Sequence, residues 1–143
     1  KVGDKSPMFD LQGFELGEHL KRGPVVLVFY RGFFWGLCRQ QLVELQASIG
    51  AFKRLKGRLV AVSADDLETA IQTKLSLKLS FDVLGDSKRK IIQLYGILHP
   101  DENLARPAVF LIDQSGYLRF RYIGSNAADR PTNARIINAL KWL

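Results

Sequence analysis

Cysteine and histidine are scarce in this sequence of 143 residues. Cys38 is the only cysteine, so no disulfide can form within the chain. His19 and His99 are the only histidines, and they have neither a C-x-x-C partner nor H-E-x-x-H spacing. The sequence therefore predicts no metal site, and we expect no cofactor. A hydrophobic core must hold the fold together, and a chain of this length can bury one as a single domain spanning residues 1–143.

Long hydrophobic runs are also absent. The longest apolar segment extends from Pro24 to Tyr30, far short of the roughly 20 residues that a membrane-spanning helix needs. No charged, then apolar, then small-residue leader precedes the first residues. We therefore expect a cytoplasmic protein without membrane contact, although a leader upstream of Lys1 would change that compartment.

Negative charge is in deficit, with 14 acidic residues against 21 lysines and arginines and a formal net charge of +7. A basic chain raises nucleic acid as a partner, because clustered cations gain affinity when counterions are released. The basic clusters here are short, however, and fall at predicted helix ends or exposed turns, as "KRLKGR" from Lys53 does. The sequence therefore predicts no nucleic-acid partner.

The first predicted elements indicate an α/β fold. Residues 25–30, "VVLVFY", form a continuous β-branched and aromatic run that is typical of a strand buried on both faces. A helical pattern follows as far as Gly57, and "RLVAVSA" supplies a second strand. Because a strand, a helix and a strand follow one another, we expect a right-handed crossover and two parallel strands.

The remaining elements extend this sheet. Asp65 is predicted to cap the next helix. The inward face of that helix is predicted to hold Leu67, Ala70 and Ile71. A short strand in "FDVLGD", a helix opened by Ser87, a hairpin around "QSG" and a terminal helix complete the pattern. The expected architecture is a central mixed β-sheet with helices on both faces.

Several stretches, taken in order, resemble one known family. They are "VGDKSPMFDLQ", "VVLVFYRG" followed by a cysteine and "LVELQ", "VAVSADDLETAIQTKLSLKLSFDVLGDSKRKIIQLYGI", and "RPAVFLIDQSGYLRF". Together they cover nearly the whole chain and resemble the peroxiredoxins of the AhpC/TSA type. The resemblance implies a thioredoxin-like fold, a homodimer, and thiol-dependent reduction of hydrogen peroxide or alkyl hydroperoxides.

The resemblance also gives Cys38 the role of the peroxidatic cysteine. Cys38 follows a loop at the start of a predicted helix, where free N–H groups and the helix dipole favour a thiolate, and Arg39 adds a cation. The thiolate would attack a peroxide oxygen and become a sulfenic acid. Since the chain has no second cysteine, an external thiol or a thioredoxin-like reductant would have to regenerate it.

A peroxide pocket is expected around this sulfur. The residues expected to line it are Trp35, Gly36, Leu37 and Pro107. Arg106 is the expected catalytic guanidinium for the departing oxygen, with Arg119 and Arg121 as alternatives on the neighbouring strand. Pro107 is similar to the cis-proline that thioredoxin-type proteins hold against their active-site cysteine, so a cis bond is expected there.

The stretch "RGFFWGLCR" departs from the family's motif, which has a proline seven residues before the cysteine and a threonine or serine three before it. Arg31 and Trp35 occupy those positions. A branch of the family reads Trp-Cys-Pro-x-Cys-Arg, and relative to it Trp35 replaces the first cysteine and Gly36 the proline. These departures leave an alternative open, a binding or regulatory module in which Cys38 is structural, because the cysteine is in register with the apolar helix positions from Leu42 to Phe52.

Overall fold

A five-stranded mixed β-sheet forms the centre of the computed structural model, which describes residues 1–143. In chain order the elements are β1 (Asp10–Leu11), β2 (Phe14–Glu15), α1 (Leu16–Leu20), β3 (Val25–Phe29), α2 (Gly36–Ala47), α3 (Ile49–Arg54), β4 (Arg58–Ser63), α4 (Leu67–Ser76), β5 (Asp82–Gly85), α5 (Lys90–Leu94), β6 (Ala108–Ile112), β7 (Leu118–Ile123) and α6 (Asn133–Lys141). The strand order is β5-β4-β3-β6-β7. β3 pairs parallel with β4 and antiparallel with β6, so the predicted mixed sheet is confirmed.

β3 lies in the middle of the sheet and separates two hydrophobic clusters. Its odd-numbered residues from Val25 to Phe29 belong to one cluster of 20 buried residues. Its even-numbered residues, together with Tyr30, belong to a second cluster of 17. Successive side chains of a strand point to opposite faces, so the two clusters lie on opposite faces of the sheet. α1 and α5 contribute to the first cluster, and α2, α3, α4 and α6 to the second, which confirms helices on both faces.

α4 differs in detail from the sequence prediction. Its N-cap is Asp66, whose side chain accepts a hydrogen bond from the Thr69 amide at 2.8 Å, and not Asp65. The helix therefore begins one residue later than expected, and Ala70 and Thr73 form its buried face. Leu67 and Ile71 are each 51% exposed, so the prediction that they face inward is wrong.

Two other helices also have different bounds. The single helix expected after β3 is divided at Ser48 into α2 and α3. α5 begins at Lys90 and not at Ser87, because Arg89 adopts a left-handed conformation with φ of 59° and the Asp86 carboxylate accepts the Lys90 amide at 3.1 Å. α2 is the longest helix with 12 residues, and none of the helices has the length and apolar character to cross a membrane.

Candidate active site

Cys38 lies in the first turn of α2, at the carboxyl end of β3. Its amide donates to the Trp35 carbonyl at 3.0 Å. Trp35 is the N-cap residue in extended conformation, and its side chain makes no capping hydrogen bond. The amides of Gly36 and Leu37 have no hydrogen-bond acceptor. The turn that carries Cys38 therefore has two free N–H donors at the positive end of the helix dipole.

Cys38 is also part of the hydrophobic core. Its residue is 3% exposed, and it belongs to the same cluster as Leu42 and Leu45 on the inward side of α2. The register that the sequence predicts for the apolar stripe is therefore confirmed. Little of the Cys38 surface is therefore open to solvent in this conformation.

Arg39 does not direct its charge at Cys38. Its Nη1 donates to the carbonyl of Phe33 at 2.9 Å, and its guanidinium carbon lies 5.5 Å from the centroid of the Phe33 ring. No hydrogen bond joins the guanidinium to Cys38. Arg39 thus fixes the loop between β3 and α2.

Arg31 organises the outer side of the same loop. Its guanidinium carbon lies 4.1 Å from the centroid of the Trp35 ring, and its Nη2 forms an ion pair with Glu102. The Arg31 side chain is only 14% exposed, and its Nε is buried without a hydrogen-bond partner. The residue that replaces the family's proline therefore ties the loop to the segment that precedes β6.

A polar cavity of about 150 Å³ lies beside this ion pair. Arg31 and Glu102 line it from one side, and Arg106 and Pro107 line it as well. The Arg106 side chain takes part in none of the seven ion pairs of the structure, so its charge is unpaired. Cys38 does not line this cavity. The structure thus places Arg106 and Pro107 together, but it does not bring them into hydrogen-bond contact with the cysteine.

The peptide bond before Pro107 is trans, so the expectation of a cis-proline is wrong. The Arg106 amide donates to the Ile97 carbonyl at 2.8 Å, and the Pro107 carbonyl accepts from the Gly124 amide at 2.7 Å. These bonds hold an extended chain that enters β6 directly, and the trans form is the favoured state of such a bond.

The alternative arginines lie away from the cavity. Arg119 pairs with Asp113 at 2.7 Å, close to the hairpin turn. Arg121 is exposed on β7, the strand at the edge of the sheet. Neither residue lines the cavity that Arg106 lines.

Asp65 holds the loop at its start, a role that the sequence analysis missed. Its Oδ2 accepts a hydrogen bond from the Phe33 amide at 2.9 Å. Gly32 has φ of +155°, and a Cβ at that position would lie 3.0 Å from Asp65 Oδ1. Gly32, three residues after the last residue of β3, was the sequence signal for this close approach.

The Tyr30 hydroxyl is a polar group inside the hydrophobic cluster that contains Cys38. It is buried and makes no hydrogen bond of regular geometry, although the side chains of Ser63 and Thr73 are close enough to oppose the rise of its pKa. Burial raises the pKa of Tyr30 to about 12, so the group stays protonated at neutral pH.

Arg130 binds the start of α2 from the C-terminal part of the chain. Its Nη1 donates to the Leu37 carbonyl and its Nη2 to Glu44, each at 3.2 Å. Leu37 itself is exposed beside Trp35. Nothing in the sequence pattern points to this contact, which joins residues 93 positions apart.

Comparison with known proteins agrees with the fold. The sequence model of the AhpC/TSA family matches residues 2–121. This chain belongs to the AhpC/TSA family. It is a peroxiredoxin of the thioredoxin-fold superfamily, as the resemblance in the sequence implied. Alkyl hydroperoxide reductase C from Buchnera aphidicola subsp. Acyrthosiphon pisum is 28% identical over 144 residues, which cover 92% of this chain and 72% of the relative.

Solved structures with this fold include distant peroxiredoxins. The peroxidoxin BcpB of Mycobacterium tuberculosis superposes with a TM-score of 0.89 at 19% identity, over 100% of this chain and 97% of that one. The reduced 2-Cys peroxiredoxin of Plasmodium vivax gives a TM-score of 0.82 at 22% identity, over 99% and 94%. These likenesses confirm the thioredoxin-like fold of this AhpC/TSA member. The roles of its individual site residues stay predictions.

Proposed function

We propose that this chain is a one-cysteine thiol peroxidase in which Cys38 reduces hydrogen peroxide or an alkyl hydroperoxide. The observation that carries the proposal is the position of Cys38. It is the only cysteine of a peroxiredoxin-family chain, and it lies in the first turn of α2, next to the free amides of Gly36 and Leu37. A helix N-terminus stabilises the thiolate that the reaction needs.

The chemical step is a two-electron transfer. The Cys38 thiolate attacks one peroxide oxygen, an S–O bond forms and the O–O bond breaks. Sulfur is oxidised to the sulfenic acid, and the departing oxygen takes up a proton and leaves as water or an alcohol. The free N–H groups of Gly36 and Leu37 are available to the charge that develops on the oxygens. Arg106, which has no ionic partner, supplies the guanidinium when the loop admits substrate.

Access to the sulfur requires the loop of residues 31–37 to open. Cys38 is nearly sealed, whereas Phe34 is 80% and Trp35 43% exposed on the outside of the loop. Loops of this kind open locally at a small fraction of the cost of global unfolding. The aromatic side chains then select small or apolar peroxides at the entrance.

Regeneration uses a thiol from outside the chain. A first thiol attacks the sulfenic sulfur, releases water and forms a mixed disulfide, and a second thiol frees Cys38 as the thiolate. A small-molecule thiol or a thioredoxin-like protein fits this role, because no second cysteine is present.

The test is peroxide consumption with dithiothreitol as reductant. We expect the parent chain to consume hydrogen peroxide and Cys38→Ser to consume none above the reagent background. Cys38→Ser keeps nearly the same shape, so its melting temperature serves as the folding control. Equal rates for the parent and for Cys38→Ser would end the proposal.

A second candidate function rests on the burial of Cys38. At 3% exposure and packed among the apolar side chains of α2, the sulfur fits a core residue of a binding or regulatory module. In that case iodoacetamide labels Cys38 only after the chain is unfolded. Labelling of Cys38 in the native chain favours the peroxidase.

A further inference from the structure

A basic cleft lies at the end of the sheet opposite to Cys38. Its volume is about 250 Å³, and four cationic side chains line it, one at residue 22 and three within residues 53–58. They are Arg22 after α1, Lys53 in α3, Lys56 in the following turn and Arg58 at the start of β4. The cleft lies at the amino ends of β3 and β4, and four residue steps along β3 separate it from the Cys38 loop by about 13 Å.

Most of the charge in this cleft has no partner. Arg58 pairs with Asp82 at 3.1 Å. Arg22, Lys53 and Lys56 take part in none of the seven ion pairs of the structure. A cation in the last turn of α3 is explained by the helix dipole, which accounts for Lys53 alone. Arg22 and Lys56 have no such local explanation, although they lie on the same concave surface as Lys53.

His19 lines the same cleft, and the charges there affect the pKa of its ring. Its ring stacks on Phe14 with centroids 4.2 Å apart, and its Nδ1 is buried without a hydrogen-bond partner. Burial lowers the pKa of His19, and Arg58 lowers it further against the opposing effect of Asp82. A neutral imidazole with an unsatisfied nitrogen thus lies beside a positively charged rim.

We propose that this cleft binds an oligophosphate anion, either inorganic or as the phosphate tail of a nucleotide. A linear triphosphate carries several charges within a few ångströms, so it can engage cations on different sides of a concave surface at once. Arg22 offers a planar fork to one phosphate, while Lys53 and Lys56 act as point charges for its neighbours. A single carboxylate would satisfy only one of these groups.

The cleft suits a small anion better than a nucleic-acid strand. Proteins that bind single strands present aromatic side chains on which successive bases stack. The aromatic residue of this cleft is Phe81, which is only 6% exposed. Recognition therefore depends on the phosphates, and the site is independent of the peroxide chemistry at Cys38.

The experiment is calorimetric titration of the full chain with sodium tripolyphosphate at low ionic strength, with ATP and adenosine as parallel ligands. We expect tripolyphosphate and ATP to bind, adenosine to give no heat, and the affinity to fall as salt is added. Lys53→Gln combined with Lys56→Gln should weaken binding about tenfold. If this variant does not fold, Arg22→Gln at an exposed position takes its place.

Lys74→Gln combined with Lys78→Gln is the matched control. Lys74 lies in the last turn of α4, as Lys53 lies in the last turn of α3. Lys78 has φ of 55° and Lys56 has φ of 61°. The control therefore removes the same charge from similar local structure outside the cleft. This control should bind within twofold of the parent. Equal weakening in both variants or no binding of tripolyphosphate would overturn the proposal.

Discussion

The Arg31 guanidinium covers the Trp35 ring at 4.1 Å and is held there by its ion pair with Glu102. The two positions are those at which this chain departs from the usual peroxiredoxin motif. The arginine at the position of the family's proline therefore packs against the tryptophan at the position of its threonine. A partly desolvated stack of this kind contributes about 1–2 kcal/mol.

Arg31→Lys should release Trp35. Lysine keeps the charge but lacks the planar group that stacks on an indole. In a Trp142→Phe background, where Trp35 is the only tryptophan, we expect acrylamide to quench the fluorescence more strongly and iodoacetamide to label Cys38 several times faster.

Arg135→Lys is the control for this prediction. Arg135 lies over the ring of Tyr122 at 5.1 Å, far from the loop in sequence, and loses the same kind of contact. Its quenching and labelling should match those of the parent. Unchanged labelling in Arg31→Lys would show that the stack does not limit access to Cys38.

Gly32→Ala should destabilise the fold by about 1–2 kcal/mol in urea unfolding. The new Cβ would lie 3.0 Å from Asp65 Oδ1, in a backbone conformation with φ of +155° that disfavours side chains. The Asp65 carboxylate also binds the Phe33 amide, so it cannot withdraw without losing that bond.

Gly36→Ala is the corresponding control. A Cβ there meets nothing closer than Arg39 Nη2 at 3.9 Å, and alanine is the better helix former. We expect unchanged or slightly higher stability. Equal losses in both variants would contradict the close approach of Gly32 to Asp65.

Tyr30→Phe should not lower the free energy of unfolding at neutral pH, whereas Tyr95→Phe should lower it. The Tyr30 hydroxyl is buried and makes no hydrogen bond of regular geometry, so its removal is neutral or stabilising by up to about 1 kcal/mol. The Tyr95 hydroxyl contacts Ser6 Oγ at 2.8 Å and donates to the Pro7 carbonyl at 2.9 Å, so its removal costs about 1 kcal/mol. An equal loss of free energy of unfolding in Tyr30→Phe and Tyr95→Phe would contradict the difference in hydrogen bonding between the two hydroxyls.

The same pair predicts alkaline behaviour. Burial raises the pKa of each hydroxyl from 10.0 to about 12 in the folded state. A raised folded pKa gives stability that is complete below pH 10 and is lost as pH rises towards 12. Denaturation profiles should therefore be flatter between pH 10 and 12 for either variant than for the parent, and parallel profiles would contradict this.

The sheet could be predicted from sequence because its strands are continuous apolar runs between turn residues. β3 and the β6–β7 hairpin lie where the sequence predicts them. The cap of α4 could not be fixed, since Asp65 and Asp66 are adjacent and only the loop contact with Phe33 decides between them.

The candidate site was predictable only in part. The position of Cys38 matches both the start of a helix and the apolar stripe of that helix. The sequence pattern alone therefore does not distinguish a reactive thiol from a core residue. The contact of Arg31 with Glu102 joins residues 71 positions apart, and no local pattern encodes it. The cis bond before Pro107 was inferred from resemblance, whereas the hydrogen bonds of Arg106 and Pro107 hold a trans chain.

The most direct test is the mass of the intact chain after treatment with one equivalent of hydrogen peroxide, with dimedone added to trap a sulfenic acid at Cys38. The account predicts one dimedone adduct in the parent and none in Cys38→Ser. A parent chain that stays unmodified at a large excess of peroxide, while its unfolded form is oxidised, would contradict the proposed peroxidase.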